Sequence, residues 1–536
     1  MADNALNSTF TEEELQKTAA LFNVTVPEKD VEAYRVLLSG LDEAAQTLLK
    51  EEDYLPGLDL GRFPRENIHR PAEGENDHNA WAYRVTIKST STEDLSGLLS
   101  GKALAIKDNV NIGNVPSILG TDVISPGSYI PKYDATVVTR VLSAGATVVG
   151  KGACENFSMS PTSFTNAQSA VENPHAPGFN AGGSSSGCAA LVASGIVDMA
   201  IGGDQGGSIR VPASYCGIVG LKPTFGLVPY TGIASLDAVV DHTGPMTKTV
   251  LDNALLLQVI AGRDEYDDRQ IGLPIPLPAY HDELSKFADA PKDAVKGFKI
   301  GIISESFDMP GLDPRVISKV IEAAKAFETL GEDVTVEDIS VPMHAMAPAI
   351  WTVATRQGFS EHGLRGQNPL RFGVHDADLT IALQEWNQEM FDKLALKNPA
   401  GTNALLGGQI IKDKYPGLTS KALNLARKLK DTYNELFERY DVLITPCAPT
   451  PANYTSAPED DIMTKMSKAI GTTQNTAPFN ISGNPAMSLP IAMLAPLEDE
   501  TLKLPVGMQL VGKSFGELEI LKAAYAWEQN FDWKSF

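Results

Sequence analysis

Apolar positions near the start of the chain recur every three to four residues. Leu15, Ala19 and Phe22 share one helical face, and Val31, Tyr34, Leu38 and Leu41 share another. Thr11 followed by Glu14 is a capping-box pattern, and Pro27 suits the first turn of the second helix. Two amphipathic helices cannot cover their own apolar faces, so they must dock on the core or on another subunit. From residue 51 to about residue 80 the pattern gives way to proline, glycine and charge (Pro56, Gly57, Pro64, Pro71, Gly74), which reads as an extended connection. Beyond it, strand-like and helix-like segments alternate. Leu104-Ala105-Ile106 reads as a strand, Asp134 as the cap of a helix carrying Val137, Val138, Val141 and Leu142, and Thr147-Val148-Val149-Gly150 as the next strand. A helix over 185–194 and an apolar strand over 197–201 follow, with further buried strands at 299–303 and 441–444. Between 313 and 440 the pattern is mainly helical, with Trp351, His362, His375 and Trp386 in it.

This order predicts an α/β fold, with a large sheet core covered by helices. The expected divisions are an N-terminal helical region (1–75), a core (76–312), a smaller inserted helical domain (313–440) and a returning core segment (441–536).

Composition narrows the function classes. The chain has 536 residues, 43% of them hydrophobic and 21% charged, so it can bury a sizeable core and is not of disordered type. The net charge of −23 repels phosphate backbones and anionic lipid surfaces, so no nucleic-acid or membrane partner is expected. The first residues lack a basic segment followed by an apolar one, and no run of 18 apolar residues occurs, so the expected location is the cytoplasm. Cys154, Cys188, Cys216 and Cys447 match no metal-binding spacing and read as reduced, buried thiols. No metal and no cofactor is expected.

The candidate chemistry lies in residues 179–229. Two Gly-Gly-Ser clusters, at 182–184 and 206–208, are separated by a small-residue helix and a strand, a length that can return both loops to one sheet edge. Glycine neighbours let a substrate approach the Ser184 and Ser208 hydroxyls closely. The loop Gln205-Gly206-Gly207-Ser208 also presents successive backbone N–H groups that could converge on an oxyanion. Either cluster alone would read as an ordinary turn; the pair at this spacing does not.

A serine nucleophile needs a base. His175 lies in a proline-rich loop and His242 in Asp241-His242-Thr243-Gly244, and both read as structural. Lys107 leaves the strand 104–106, and a desolvated lysine loses its proton readily.

Ala105-Ile106-Lys107-Asp108-Asn109, Gly182-Gly183-Ser184-Ser185-Ser186-Gly187 and the segment from Gly202 to Arg210 together resemble the amidase-signature family. The similarity extends over 216–224 and resumes at 441–446 and 484–486. It implies that family's fold, a large mixed sheet covered by helices. It also implies a catalytic set in which Lys107 is the base, Ser184 a bridging serine on a cis peptide, and Ser208 the nucleophile. Backbone N–H groups of Gln205, Gly206, Gly207 and Ser208 would hold the oxyanion, with Asp204, Arg210 and Ser185 supporting the loop. The Asp-Gln-Gly-Gly-Ser form resembles a subgroup of broad, often stereoselective amidases. In that subgroup the N-terminal helices form a homodimer and the smaller domain shapes the pocket, and loops near Phe157, Trp351 and Asn475 are the expected walls. A small amide is the implied substrate, and carbamates are cleaved by other members.

Three rival readings remain. In an α/β-hydrolase elbow Ser185 would be the nucleophile, but the residues before it, 173–180, read as loop rather than strand. A component of an amidotransferase that works on tRNA fits poorly with the acidity. A non-catalytic binding member fits poorly with the presence of all three reactive side chains.

Overall fold

The computed structural model describes residues 10–72, 74–125, 127–331, 333–370, 373–383 and 385–536, so the N-terminal residues before Phe10 lie outside it. The chain divides into two compact units, Met1–Pro56 and Gly57–Phe536. In the first, helices Glu12–Ala20 and Glu28–Leu48 follow the sequence periodicity. Both halves of the capping box form, with Glu14 N–H donating to Thr11 Oγ1 at 3.1 Å and Thr11 N–H to Glu14 Oε2 at 2.8 Å. Gln16 closes the turn between the helices by bonding both backbone groups of Val26. Leu15, Ala19 and Val31 are buried, whereas Phe22, Tyr34 and Leu41 are exposed.

The second unit is built on β1 (Arg65–His69), β2 (Trp81–Ile87), β3 (Ala103–Lys107), β4 (Thr147–Gly152), β5 (Glu172–Asn173), β6 (Ala176–Asn180) and β7 (Met199–Gly203). It continues with β8 (Val219–Lys222), β9 (Thr243–Thr247), β10 (Lys299–Ile303), β11 (Thr335–Ile339), β12 (Val442–Pro446), β13 (Ala486–Leu494) and β14 (Leu504–Val511). Twelve of these form one mixed sheet in the order β1-β2-β4-β3-β7-β9-β8-β13-β14-β12-β10-β11, and β5 pairs with β6 alone. Most central strands are buried end to end, as expected of a sheet covered on both faces. Helix Glu517–Asn530 covers part of it, and its buried Trp527 donates to the carbonyl of Ala323 in the neighbouring helix Pro314–Ala326. Among the described residues no helix is long and apolar enough to cross a membrane.

Several boundaries differ from the sequence reading. Residues 57–75 belong with the sheet unit rather than with the helical pair, because β1 pairs antiparallel with β2. At the other end, β11 is an edge strand of the main sheet, parallel to β10. The purely helical stretch therefore begins at helix Pro342–Glu361 and ends with helix Leu418–Leu436. Asp134 does not cap the helix Thr136–Ser143; its carboxylate pairs with Arg65 and accepts the N–H of Gly113, holding the preceding loop instead. Residues 173–180, read as loop, contain the β5–β6 hairpin.

Candidate active site

Two neighbouring parallel strands set the site. β3 and β7 pair with Ile106 opposite Ile201, so their C-terminal ends deliver Lys107 and the 204–209 loop to the same edge. The chain then crosses from helix Ser186–Ser194, whose entry carries Ser184, back to β7. Lys107 Nζ donates to Ser184 Oγ at 2.8 Å and lies 3.5 Å from the Gly203 carbonyl. Both side chains are fully buried, and the Gly183–Ser184 peptide is cis. Ser208 is 8% exposed and opens into a cavity of about 410 Å³.

Burial dominates the state of Lys107. Desolvation pushes its amine below the ordinary lysine value, against the opposing pull of nearby Asp204 and Glu155. The adjacent buried lysine, Lys151, has a carboxylate partner in Asp108 at 3.2 Å. Among the described residues Lys107 has a hydroxyl and a carbonyl as its hydrogen-bond partners, and neither obliges it to stay charged.

The 204–210 loop is held by a buried ion pair. Arg210 Nε and Nη2 donate to the two oxygens of Asp204 at 3.0 and 2.8 Å, and both side chains are wholly buried. Although burial raises the Asp204 carboxyl, the Arg210 charge and hydrogen bonds outweigh it and hold the group well below the usual range. The remaining Arg210 donors reach the Thr476 carbonyl, Gln509 and Asn480. Asp204 also accepts the N–H groups of Gly207 at 2.8 Å and Ile209 at 3.0 Å. The Gly207 N–H is therefore committed to the loop, whereas those of Gln205, Gly206 and Ser208 have no bonded partner among the described residues. Gly207 is required as glycine: its φ is +136°, and a Cβ there would stand 2.3 Å from Thr476 Oγ1.

The other sequence-singled residues are placed as follows. Ser185 Oγ donates to the Gly203 carbonyl and accepts its N–H, so it is tied to the strand end and cannot act as an elbow nucleophile. His175 bonds the Cys216 carbonyl and His242 the Val240 carbonyl, each in a structural role. Trp351 lines the cavity and donates its indole N–H to the Gln205 carbonyl at 2.8 Å. Phe157 and Asn475 do not line it, but their neighbours Ser158, Met159 and Gln474 do.

Sequence reasoning missed Thr476, Asn480 and Gln509, which lie far along the chain and carry no local signal. It also missed Glu155. Its carboxyl accepts from Ser186 and Thr165, its backbone N–H binds the Ser184 carbonyl, and burial pushes its pKa up to about 7.

The sheet edge thus carries a buried amine bonded to a buried hydroxyl, beside a loop whose Ser208 lines the cavity. The family model described as Amidase matches residues 76–521, and the chain belongs to that family. It is 37% identical to an enantioselective amidase of Rhodococcus rhodochrous over 461 residues, covering 84% of this chain and 83% of the relative. It is 35% identical over 460 residues to the A subunit of the glutamyl-tRNA(Gln) amidotransferase of Natronomonas pharaonis, covering 84% and 99%. The peptide amidase of Stenotrophomonas maltophilia superposes with a TM-score of 0.64 at 26% identity, over 81% of this chain and 83% of that one. The protein is thus an amidase-signature hydrolase, acting on linear amide C–N bonds.

The clamp gives a stability prediction. Arg210→Leu leaves the Asp204 carboxylate buried and unpaired, and urea unfolding should show a loss of about 3–5 kcal/mol. A loss under about 1 kcal/mol would mean that water or another donor replaces the guanidinium.

Proposed function

We propose that the chain hydrolyses small carboxylic amides through an acyl-enzyme, with Lys107 as base, Ser184 as proton bridge and Ser208 as nucleophile. The observation that carries this reading is the 2.8 Å contact between Lys107 Nζ and Ser184 Oγ, both wholly buried, beside the one cavity that Ser208 enters. Neutral Lys107 takes the Ser184 proton as Ser184 takes that of Ser208. Ser208 Oγ then adds to the amide carbonyl carbon. The developing oxyanion is met by the backbone N–H groups of Gln205, Gly206 and Ser208, with Gly207 removed from the set expected from sequence because Asp204 holds it. The proton returns through Ser184 to the leaving nitrogen, the C–N bond breaks, and water later cleaves the ester by the same relay. Asp204, Arg210 and Ser185 keep the loop in place.

The same chemistry would cleave a carbamate. An amidotransferase role is the weaker reading, even though the relatives include amidotransferase subunits. The net charge of −23 opposes tRNA, and the cavity suits a small substrate. For assembly, the exposed Leu37, Leu41 and Leu48 on helix Glu28–Leu48 support a homodimer through the N-terminal helices. Light scattering should give twice the chain mass, and Leu37→Lys with Leu41→Lys should halve it; a wild-type monomer would end that idea.

Purified protein should hydrolyse at least one of acetamide, propionamide, benzamide, an anilide and ethyl carbamate, and Ser208→Ala should lower kcat at least about a thousandfold. An inert wild type, or an undiminished variant, would move a partner-dependent role ahead.

The base gives a pH signature. Neutral Lys107 grows in population as pH rises, so kcat/KM should climb along a limb centred below the ordinary lysine value of about 10.4 and then level off. A limb centred at or above that value would show the amine to be charged in the resting site.

A further inference from the structure

The cavity entered by Ser208 is walled by apolar, small and neutral polar groups, and Arg356 is its one charged side chain among the described residues. Arg356 stands on helix Pro342–Glu361, five residues beyond Trp351, whose indole fixes that helix to the Gln205 carbonyl. Five residues advance about 7.5 Å along a helix axis, so Arg356 joins the cavity wall from a position on the helix removed from the Trp351 contact.

Other guanidiniums withdrawn wholly or partly from solvent have their partners built in. Arg210 has Asp204, Arg269 has Asp267, and Arg140 has three backbone carbonyls. Arg356 has neither an ion pair nor a hydrogen bond among the described residues, and burial alone acts on its charge, lowering its proton affinity. Guanidinium stays protonated regardless, so the site holds a partly desolvated cation with nothing to neutralise it.

The space around it is shaped for the head group. Gly407, on the facing helix Pro399–Lys414, would bring a Cβ within 3.1 Å of Arg356 Cδ, so its missing side chain makes room for the arginine stem. The cavity wall that Ser208 and Arg356 share includes the apolar Leu236 and Phe359, which suits a short hydrocarbon spacer.

We propose that Arg356 is a specificity residue, and that the preferred substrates are amides carrying a carboxylate several bonds from the scissile carbonyl, which the guanidinium pairs while Ser208 faces the amide. The proposal deepens the amidase reading above and rests on it for the role of Ser208. A carboxylate matches the planar fork of a guanidinium, and a pair made away from bulk water is stronger than one on the surface. The protein's net charge of −23 repels anions at long range, so the preference arises from contact inside the cavity and shows in KM.

The test compares adipamic acid with hexanamide, which has the same chain length and no carboxylate. Wild type should favour adipamic acid at least about tenfold in kcat/KM, at the level of one charge-assisted hydrogen bond. That ratio should collapse toward one in Arg356→Gln, chiefly through KM, and Arg356→Glu should turn the preference toward 6-aminohexanamide. Adipate binding to Ser208→Ala protein, followed by calorimetry, needs no turnover, and adding Arg356→Gln should weaken it at least about tenfold. Thermal unfolding confirms that each variant is folded, and Arg356→Lys, which keeps charge without the fork, should retain an intermediate ratio. Arg356-dependent adipate binding without hydrolysis of any amide would leave this inference standing and sink the amidase reading alone. Equal use of the two amides, or adipate binding that is absent or indifferent to Arg356, would overturn it.

Discussion

The buried pair between Asp204 and Arg210 is the constraint on which the site's geometry depends. A buried ion pair returns little net stability, because the desolvation of two charges offsets their attraction. Its effect here is geometric. Arg210 spreads its donors over Asp204, the Thr476 carbonyl, Asn480 and Gln509, tying together the end of β7, the helix Ala477–Ile481 and β14. Asp204 turns inward the N–H groups of Gly207 and Ile209 and leaves those of Gln205, Gly206 and Ser208 to face other partners. One pair therefore decides both where the Ser208 loop sits and which of its backbone donors are taken.

A second constraint is complementary to the first. If Lys107 is the base it must lose its proton, and its place at the end of a buried strand, with no carboxylate bonded to it among the described residues, lowers its hold on that proton. Parallel pairing of β3 with β7 places the Gly203 carbonyl beside the amine, and Ser185 donates to that same carbonyl while accepting the Gly203 N–H. Glu155 is close enough to oppose the loss of the proton, but its carboxyl is engaged by Ser186 and Thr165, and its own pKa is pushed up to about 7. Two buried groups of opposite sign are thus both moved toward neutrality by the same dry surroundings.

The reactive residues were legible in sequence because each lies in a contiguous motif whose paired glycines and hydroxyls exceed what a simple turn requires. Lys107 meets Ser184, and the loop carrying Ser208 packs beside them through the bond from the Ser185 N–H to the Ser208 carbonyl, while the mixed sheet follows from the alternation of elements. What could not be read was anything supplied from a distance. Thr476, Asn480 and Gln509 reach the loop across more than 260 residues, and no local pattern marks an asparagine as a loop anchor. Asp134 had the spacing of a helix cap, yet a nearby arginine and the Gly113 N–H gave its carboxylate better partners. The oxyanion set was read as four consecutive donors because the sequence cannot say which N–H a neighbouring carboxylate will take.

The same division separates what the fold fixes from what it leaves free. Lys107, Ser184 and the 204–210 loop hang on the sheet and on the Arg210 clamp, so a substitution of Asp204 or Arg210 disturbs the core itself. The cavity walls come from remote stretches, around Ser158, around Trp351 to Phe359, around Ala400 to Asn403 and around Met466 to Ala477, together with Leu236. The second of these belongs to the helical stretch inserted between β11 and β12, outside the hydrogen-bonded sheet. Among the described residues it is hydrogen-bonded to the 204–210 loop through Trp351 and the Gln205 carbonyl, a side chain on a backbone acceptor that every residue type offers. Side chains one or two turns farther along that helix, Arg356 among them, can therefore change without moving Ser208. A fold arranged in this way can hold its bond-breaking geometry constant while the charge and shape of the substrate it admits are set by the inserted helix.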